Sequence, residues 1–492
     1  RQKGLILGAY EGCSPGEYKL TPAGEKFDCQ LGGKLNELIQ GSNLRKGKAL
    51  VFSNLSHDFQ AIAVANLGPE DAGYSEFENL NLAKENVRIA AGAGASMLQG
   101  IGINNMFVEE FTDSEAAAEG TSLAVWKYDE LKSKHGKSAP PKLELFDEGD
   151  KESWQRGLLK ADAQNMARKL EEMPANLLTP SMFAQETVET LCACQVQVEV
   201  RDRTWMEIQK LNSLLAMAGG SCEHPLFIEL SYCGGNVDDK PVVIVGKGVT
   251  FDSGGTNLKP CKGMSEFRGD MAGAAVVVGT FKAVACLSLP INIVGLIPMC
   301  ENMPGGSALK PGDVVTALNG KKIRLENTSN QGWVVLADAL SYSSQYNPSL
   351  VINVATMTMS MRRVLGAWAS GAFSNSEVIW REMSRAGAET GDRLWNFPLW
   401  KQYTFELTGN EGVDVSTAGK EVGGTSCLGA AFIKEFVPPN VDFIHLDITG
   451  TGMEAPGTQF SYLRKGTMTG RPTRTLVQFL YQSVCPHEKI EE

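Results

Sequence analysis

Positive charge is in short supply along this chain. Its 46 Lys and Arg stand against 57 Asp and Glu, a formal net charge of −11 over 492 residues. Nucleic acids and anionic membrane surfaces recognise proteins through basic footprints, so neither is expected as a partner. An uninterrupted apolar run of the ~20 residues that a membrane helix needs is also missing. Histidine is scarce: the five residues (His57, His135, His224, His445, His487) are dispersed and never at ligand spacing, which argues against an imidazole-built zinc site. Cys192-Ala193-Cys194 has no second cysteine pair near it, which argues against a thiolate-built one. The eleven cysteines are odd in number and scattered, several within apolar runs such as those holding Cys286 and Cys300. They are expected to be reduced, buried thiols in a reducing compartment. The most informative lack is local. Asn327-Thr328-Ser329-Asn330-Gln331-Gly332-Trp333 lies between a strand-like run (322–325) and a helix-like run (334–340), the kind of turn on which α/β enzymes present their chemistry. It holds no carboxylate, His, Cys or Arg.

What is present is the composition of a soluble globular protein, 43% apolar and 21% charged. The length is too great for one ordinary core, so two or more domains are expected. The chain opens on Arg1 rather than Met, which leaves room for a removed leader such as a mitochondrial presequence. Residues 1–151 alternate strand-like runs closed by Gly (4–8, 61–68) with helix-like segments (79–97, 114–132), the pattern of a mostly parallel α/β sheet. Polar sequence from 132 to 142, with Pro140-Pro141, reads as a loop. A linker helix is expected over 152–173, ended by Pro174. Residues 174–492 form the second domain, with a helix at 181–193 and longer apolar strands at 241–248, 291–297, 350–355 and 441–448. A small-residue helix at 271–286 is able to pack close on a sheet. The fold class expected is therefore α/β with two domains, the second built on a larger mixed sheet.

The chemically loaded segment begins beyond the strand at 241–248. Lys247, Asp252 and Lys259 flank a Gly-Gly turn, and Asp270 follows shortly after. A loop leaving the C-terminal end of a buried strand is the usual active-site edge. Aspartates bridge hard or borderline cations, and a neutral lysine amine can join them, so the segment points to a metal hydrolase.

These residues resemble the leucyl aminopeptidase (cytosol aminopeptidase) family of two-metal exopeptidases. Val-Gly-Lys-Gly-Val-Thr-Phe-Asp-Ser-Gly-Gly (245–255) is similar to its first metal segment and Asp-Met-Ala-Gly-Ala-Ala (270–275) to its second. Further landmarks stand at 174–180, 300–304, 310–315 and 470–475. The resemblance covers essentially the whole chain. It implies a smaller macro-like N-terminal domain and a larger aminopeptidase domain. It also implies that Lys247 and Asp270 match ligands of one metal, that Asp252 matches the carboxylate bridging both, and that Lys259 matches the lysine polarising the scissile carbonyl. The family then carries Asn-Thr-Asp-Ala-Glu-Gly-Arg where this chain has residues 327–333. Ser329 replaces the metal-binding Asp, Gln331 the metal-binding Glu, and Trp333 the Arg that holds a bicarbonate-type base. Asn327 keeps the frame.

A two-metal site gathers about +4 of charge within ~3.5–4 Å. The family offsets it with four carboxylates, of which Asp252 and Asp270 remain here. Two lysines facing two aspartates balance without any cation and are expected to form salt bridges. The expected cofactor is none, or one weakly bound divalent cation (Mn or Zn) on Lys247, Asp252, Asp270 and Gln331. Thr356-Met357-Thr358-Met359-Ser360 stands where the family has Thr-Leu-Thr-Gly-Ala. Met359, Met357 and Phe267 are expected to bulk the substrate wall, beside Thr356, and to fill the cleft together with Trp333. The function expected is a catalytically silent aminopeptidase-fold protein serving as a structural or assembly component. The alternative is a weak Mn- or Zn-dependent leucyl aminopeptidase. The resemblance implies a homohexamer of two trimers. It extends to inactive paralogues abundant in insect sperm, associated with mitochondrial derivatives and tail. The expected location is intracellular, cytoplasmic or mitochondrial, and in that setting the sperm tail.

Overall fold

Leu5-Ile6-Leu7 and Ile62-Ala63-Val64 are apolar at every position rather than at every second one, and both runs are buried on both faces. They form the centre of the first of two units in the computed structural model, which describes residues 2–330, 332–409, 411–420, 422–453 and 460–485. The unit comprises residues 1–165 with 387–391 and 455–467. Its strands are β1 (Lys3–Glu11), β2 (Tyr18–Leu20), β3 (Ala49–Ser53), β4 (Ala61–Asn66), the small hairpin β5 (Tyr74–Ser75) and β6 (Leu80–Asn81), β7 (Asn105–Val108) and β8 (Lys142–Leu145). The sheet runs β3-β4-β1-β7-β8, parallel from β4 to β8, with β3 antiparallel at one edge and β2 folded back on β1.

Helix Leu82–Gly100 is capped by the Asn81 side chain, which accepts the Lys84 N–H, and helix Ser114–Val125 by Asp113, which accepts the Ala116 N–H. The two helices approach so closely at Gly120 that a Cβ there would lie 2.2 Å from the Arg88 carbonyl oxygen. The helical reading of 114–132 overran the second helix. It ends at Val125 because Trp126 is extended, and the exposed carbonyls of Val125 and Trp126 are taken by Gln99 and Arg464.

The second unit comprises residues 166–386, 392–454 and 468–492. Helix Lys151–Glu172 runs through the division between the units, which falls at 165/166. Its strands are β9 (Gln197–Arg201), β10 (Leu226–Cys233), β11 (Val242–Gly246), β12 (Gly248–Asp252), β13 (Asn292–Asn302), β14 (Val314–Thr316), β15 (Lys322–Arg324), β16 (Leu350–Ala355), β17 (Ser370–Ser374), β18 (Leu394–Asn396), β19 (Val415–Ser416) and β20 (Asp442–Asp447). Nine of them form a mixed sheet in the order β18-β17-β20-β16-β11-β13-β10-β9, with β12 paired to the far end of β13. The neighbours β13, β11, β16 and β20 are mutually parallel, and antiparallel pairings bring in β10 and β17 on either side. Lys247, Thr356 and Asn302 stand at or just beyond the C-terminal ends of β11, β16 and β13, the edge where open α/β sheets receive ligands.

Helix Ala272–Cys286 packs on β11 and β16. A Cβ on its Gly273 would lie 2.2 Å from the Val354 carbonyl oxygen, so the small residues at its start are what let Asp270 reach the sheet edge. The stretch Met264–Cys286 has the length and hydropathy of a membrane span, but 83% of its apolar 18-residue window is buried within the protein. Among the cysteines, Cys300 and Cys427 are buried, whereas Cys286 and six others are exposed. This corrects the expectation of buried thiols: Cys286 is the last residue of its helix and turns outward.

Candidate functional site

Four chain segments converge at the C-terminal edge of the parallel strands. Lys247 follows β11 directly, its main chain fixed by the Lys247 N–H donated to Val354 and by the Lys247 carbonyl accepting from Ala274. Asp252 ends β12 and enters a turn in which Gly254 (φ +95°) and Gly255 (φ +67°) are left-handed. A side chain at Gly254 would also meet the Asn257 carbonyl at 2.4 Å, so this tight return toward Lys259 requires glycine. Asp270 closes the short 3-10 turn Met264–Gly269 just before helix Ala272–Cys286. In the turn beyond β15, the Asn327 side chain accepts the N–H groups of Ser329 (2.8 Å) and Asn330 (3.3 Å), while Thr328 donates to Gly254 O (2.8 Å) and accepts from Asn257 N–H (3.0 Å).

These segments bring Lys247, Asp252, Lys259 and Asp270 together. The Lys247 ammonium donates to Asp270 Oδ1 (2.9 Å), Asp270 Oδ2 (2.8 Å) and Thr356 O (2.9 Å). Lys259 donates to Asp252 Oδ2 (2.7 Å) and Ser329 O (2.5 Å), and its ammonium stands 4.7 Å from the centre of the Phe267 ring, a cation–π contact. Asp252 Oδ1 accepts from Gly254 N–H (2.9 Å) and Asn302 Nδ2 (2.7 Å), and Asp270 Oδ1 from the Thr356 hydroxyl (2.8 Å). Every carboxylate oxygen is therefore already held by a protein donor. Both ion pairs are buried. Burial raises the Asp270 carboxyl above the ordinary range, with Lys247 opposing and Asp252 reinforcing the shift.

Trp333 does not line the site. It precedes helix Val334–Tyr342 and turns its ring into the core, 3% exposed, with the ring centre 6.5 Å from that of Phe432. Its Nε1–H is buried and has no hydrogen-bond partner among the described residues. Met357 is buried, whereas Met359, 41% exposed, stands at the rim. Phe267 and both methionines line a cavity of about 280 Å³ together with the two ion pairs. This corrects the expectation of a filled cleft: the indole has left for the core, and Met359 leans outward. Gln331 lies outside the described residues.

The sequence reading missed three contributors. Asn302, at the end of β13, tethers Asp252 Oδ1 and also donates to Thr328 O (3.0 Å), joining the Gly-Gly turn to the 327–333 turn. The Ser329 main-chain carbonyl, invisible to side-chain reasoning, is an acceptor of Lys259. Arg363 reaches the cavity from helix Met359–Leu365. Asn302 fell within the landmark at 300–304 without a role of its own, and the other two carried no signal.

The donors present do not suit a pair of divalent cations. Among the described residues no three His, Cys, Asp or Glu side chains converge. A lysine whose protons go to Asp270 and to a carbonyl is acting as a cation, and only its deprotonated amine ligates.

Comparison with known proteins agrees with the geometry of this edge. The description "Cytosol aminopeptidase family, catalytic domain" matches residues 165–477, and "Cytosol aminopeptidase family, N-terminal domain" matches residues 6–135. The cytosol aminopeptidase of Homo sapiens is 44% identical over 97% of this chain and 92% of its own length. That of Dictyostelium discoideum is 36% identical over 97% and 92%. The solved structure of the bottromycin maturation enzyme BotP in complex with Mn is 28% identical, with a TM-score of 0.82 over 98% of this chain and 99% of that one.

Proposed function

We propose that this chain, which belongs to the cytosol aminopeptidase family, keeps that family's fold as a catalytically silent structural or assembly component. The observation that carries the reading is the pairing of Lys247 with Asp270 and of Lys259 with Asp252, each about as close as an ammonium and a carboxylate can come. Two tethered ammonium groups offset the two remaining carboxylates, and a divalent cation would have to displace them. The loss of acidic and basic side chains at Ser329, Gln331 and Trp333 supports the same conclusion, since bimetallic activation of water needs both metals held.

A weak Mn- or Zn-dependent leucyl aminopeptidase is the second reading. It is favoured by the survival of Lys247, Asp252, Lys259 and Asp270 in one place and by the Mn bound to the structural relative. Elemental analysis of the purified protein, together with leucinamide hydrolysis in added Mn, separates the two. Expected are less than one metal per chain and no turnover above the blank; two metals per chain, or turnover at the family's rate, overturns silence. Gln331→Glu alone is expected to restore nothing. Adding Ser329→Asp and Trp333→Arg supplies the missing groups, but the arginine must leave the core that Trp333 occupies, so recovery is expected to be small and stability lower than in the parent.

The relatives' name, cytosol aminopeptidase, supports a cytoplasmic location. The sperm setting and the hexamer of two trimers are parts of the proposal drawn from the resemblance alone. Light scattering tests the second: a mass near six chains is expected, and a stable monomer at micromolar concentration overturns it.

A further inference from the structure

We infer that the cavity beside the two ion pairs is a binding site for an aliphatic monocarboxylate, with Arg363 as the residue that recognises the anion. The inference rests on the reading that the lysine–aspartate pairs persist without cations. Its argument is an inventory of donors and acceptors. A site that takes the ammonium end of a peptide must offer acceptors, and here both oxygens of Asp252 and both of Asp270 are engaged by Lys259, Asn302, Gly254, Lys247 and Thr356. No carboxylate oxygen facing the cavity is left over among the described residues.

Donors, by contrast, are in surplus. Lys259 commits two of its three ammonium protons, to Asp252 and Ser329. Arg363, an exposed residue, lines the cavity and forms no ion pair among the described residues, although its neighbour Arg362 is paired with Glu266 at 2.9 Å. Among the described residues, three cationic side chains against two carboxylates leave the cavity wall with one positive charge in excess. The uncharged wall is mixed: hydroxyl and amide side chains, among them Asn330, Thr358, Ser360 and Thr425, share it with an apolar patch of Phe267, Met357, Met359 and Met453. A planar guanidinium in a wall that also carries an apolar patch suits a carboxylate attached to a short hydrocarbon body. The polarity of the pocket is thus the reverse of one that receives an amino terminus.

A free acid and the carboxyl-terminal residue of a peptide share this chemistry. Calorimetric titration of the full chain at low ionic strength with 4-methylpentanoate, N-acetyl-leucine and leucinamide tests it. The first probe is an acid without an amine, the second mimics a peptide carboxyl terminus, and the third carries the amine without the acid. Binding of either acid, at least tenfold tighter than leucinamide and weakened by added salt, is expected; which acid binds better tells the source. Arg363→Ala is expected to lower acid affinity at least tenfold, and Arg363→Lys less, with the melting temperature unchanged because the side chain is exposed. Leucinamide binding as tightly as the acids overturns the inference, as does an Arg363→Ala variant with unaltered acid affinity or the absence of acid binding at millimolar concentration. The same titrations, followed by chromatography, show whether leucinamide is hydrolysed. Hydrolysis defeats the silent reading, whereas intact leucinamide with no acid binding defeats only this inference.

Discussion

Lys247 shows how much one residue's meaning depends on its neighbours. Its identity and its place after a buried strand are legible in the sequence; its protonation follows from what surrounds it. With Asp270 and a carbonyl accepting from it, it stands in this structure as the positive half of a buried pair. Removing one partner of such a pair leaves a charge stranded in low dielectric, which costs about 3–5 kcal/mol, whereas replacing both with apolar groups is often close to neutral. Lys247→Met is therefore expected to lower the unfolding free energy by about 3–5 kcal/mol. Lys247→Met combined with Asp270→Leu is expected to recover a large part of that loss. Denaturant titration of the three proteins checks both statements, and a single variant within about 1 kcal/mol of the parent would show the pair to be dispensable. Trp333 marks the limit of residue-level reading. Its substitution for an arginine was visible in the sequence, but a side chain just ahead of a helix can swing to either side of the turn. Only the packing against Phe432 shows that the indole left the site.

At the scale of elements, the apolar runs located the central strands well because parallel strands covered on both faces need no alternation to declare themselves. The run at 350–355 is β16 itself, the run at 291–297 starts one residue before β13, and the run at 441–448 overhangs β20 by one residue at each end. Ends were less legible. β13 continues to Asn302 because pairing with β12 extends it, a tertiary effect without a local signal. Short or half-exposed strands such as β3, β8 and β9 were missed, although Lys142–Leu145 and Gln197–Arg201 alternate polar and apolar residues, because runs of four or five residues are too short to stand out. One element-level consequence concerns the first sheet, where β7 leads into Glu109. This carboxyl is buried, accepts from Gly8 N–H (2.8 Å) and from the Thr21 hydroxyl (2.8 Å), and is pushed by burial up to about 8, the two hydrogen bonds opposing. In the unfolded chain it would titrate near 4.5. Between those values the folded state holds a proton that the unfolded state has released, so stability falls as pH rises through that window and levels off above it. Glu109→Gln is expected to raise the melting temperature at pH 8 and to change it little at pH 5. Equal shifts at the two pH values would assign Glu109 a purely structural role.

For the whole molecule, chain order and unit membership differ, and this has a measurable result. The expected two-domain α/β class, with a mixed sheet in the larger unit, is what the molecule has. The first unit, however, is completed by residues 387–391 and 455–467, hundreds of positions beyond its sheet, and no local pattern announced their return. Their contribution is specific. Tyr462 and Leu463 pack with Leu123, Ala124 and Ala161 in one buried cluster, and the Tyr462 hydroxyl donates to Glu85 Oε1 at 2.6 Å. Glu85 in turn pairs with the buried Arg88 at 2.8 Å, whose guanidinium also reaches Glu119 and the Glu389 carbonyl. A fragment of residues 1–165 would keep every strand of the sheet yet lose the aromatic plug, one acceptor of Arg88 and the hydroxyl bonded to Glu85. Exposing such a cluster and leaving a buried charge short of partners each cost several kcal/mol, comparable to the total stability of a domain of about 150 residues. The fragment is therefore expected to retain helical and strand dichroism but to bind a hydrophobic dye and melt without a cooperative transition, whereas the full chain melts cooperatively. Tyr462→Phe in the full chain separates the contributions. It removes only the hydroxyl and is expected to cost about 1–2 kcal/mol, a loss that leaves cooperativity intact. A fragment as cooperative as the full chain would mean that the returning segments decorate the first unit rather than complete it.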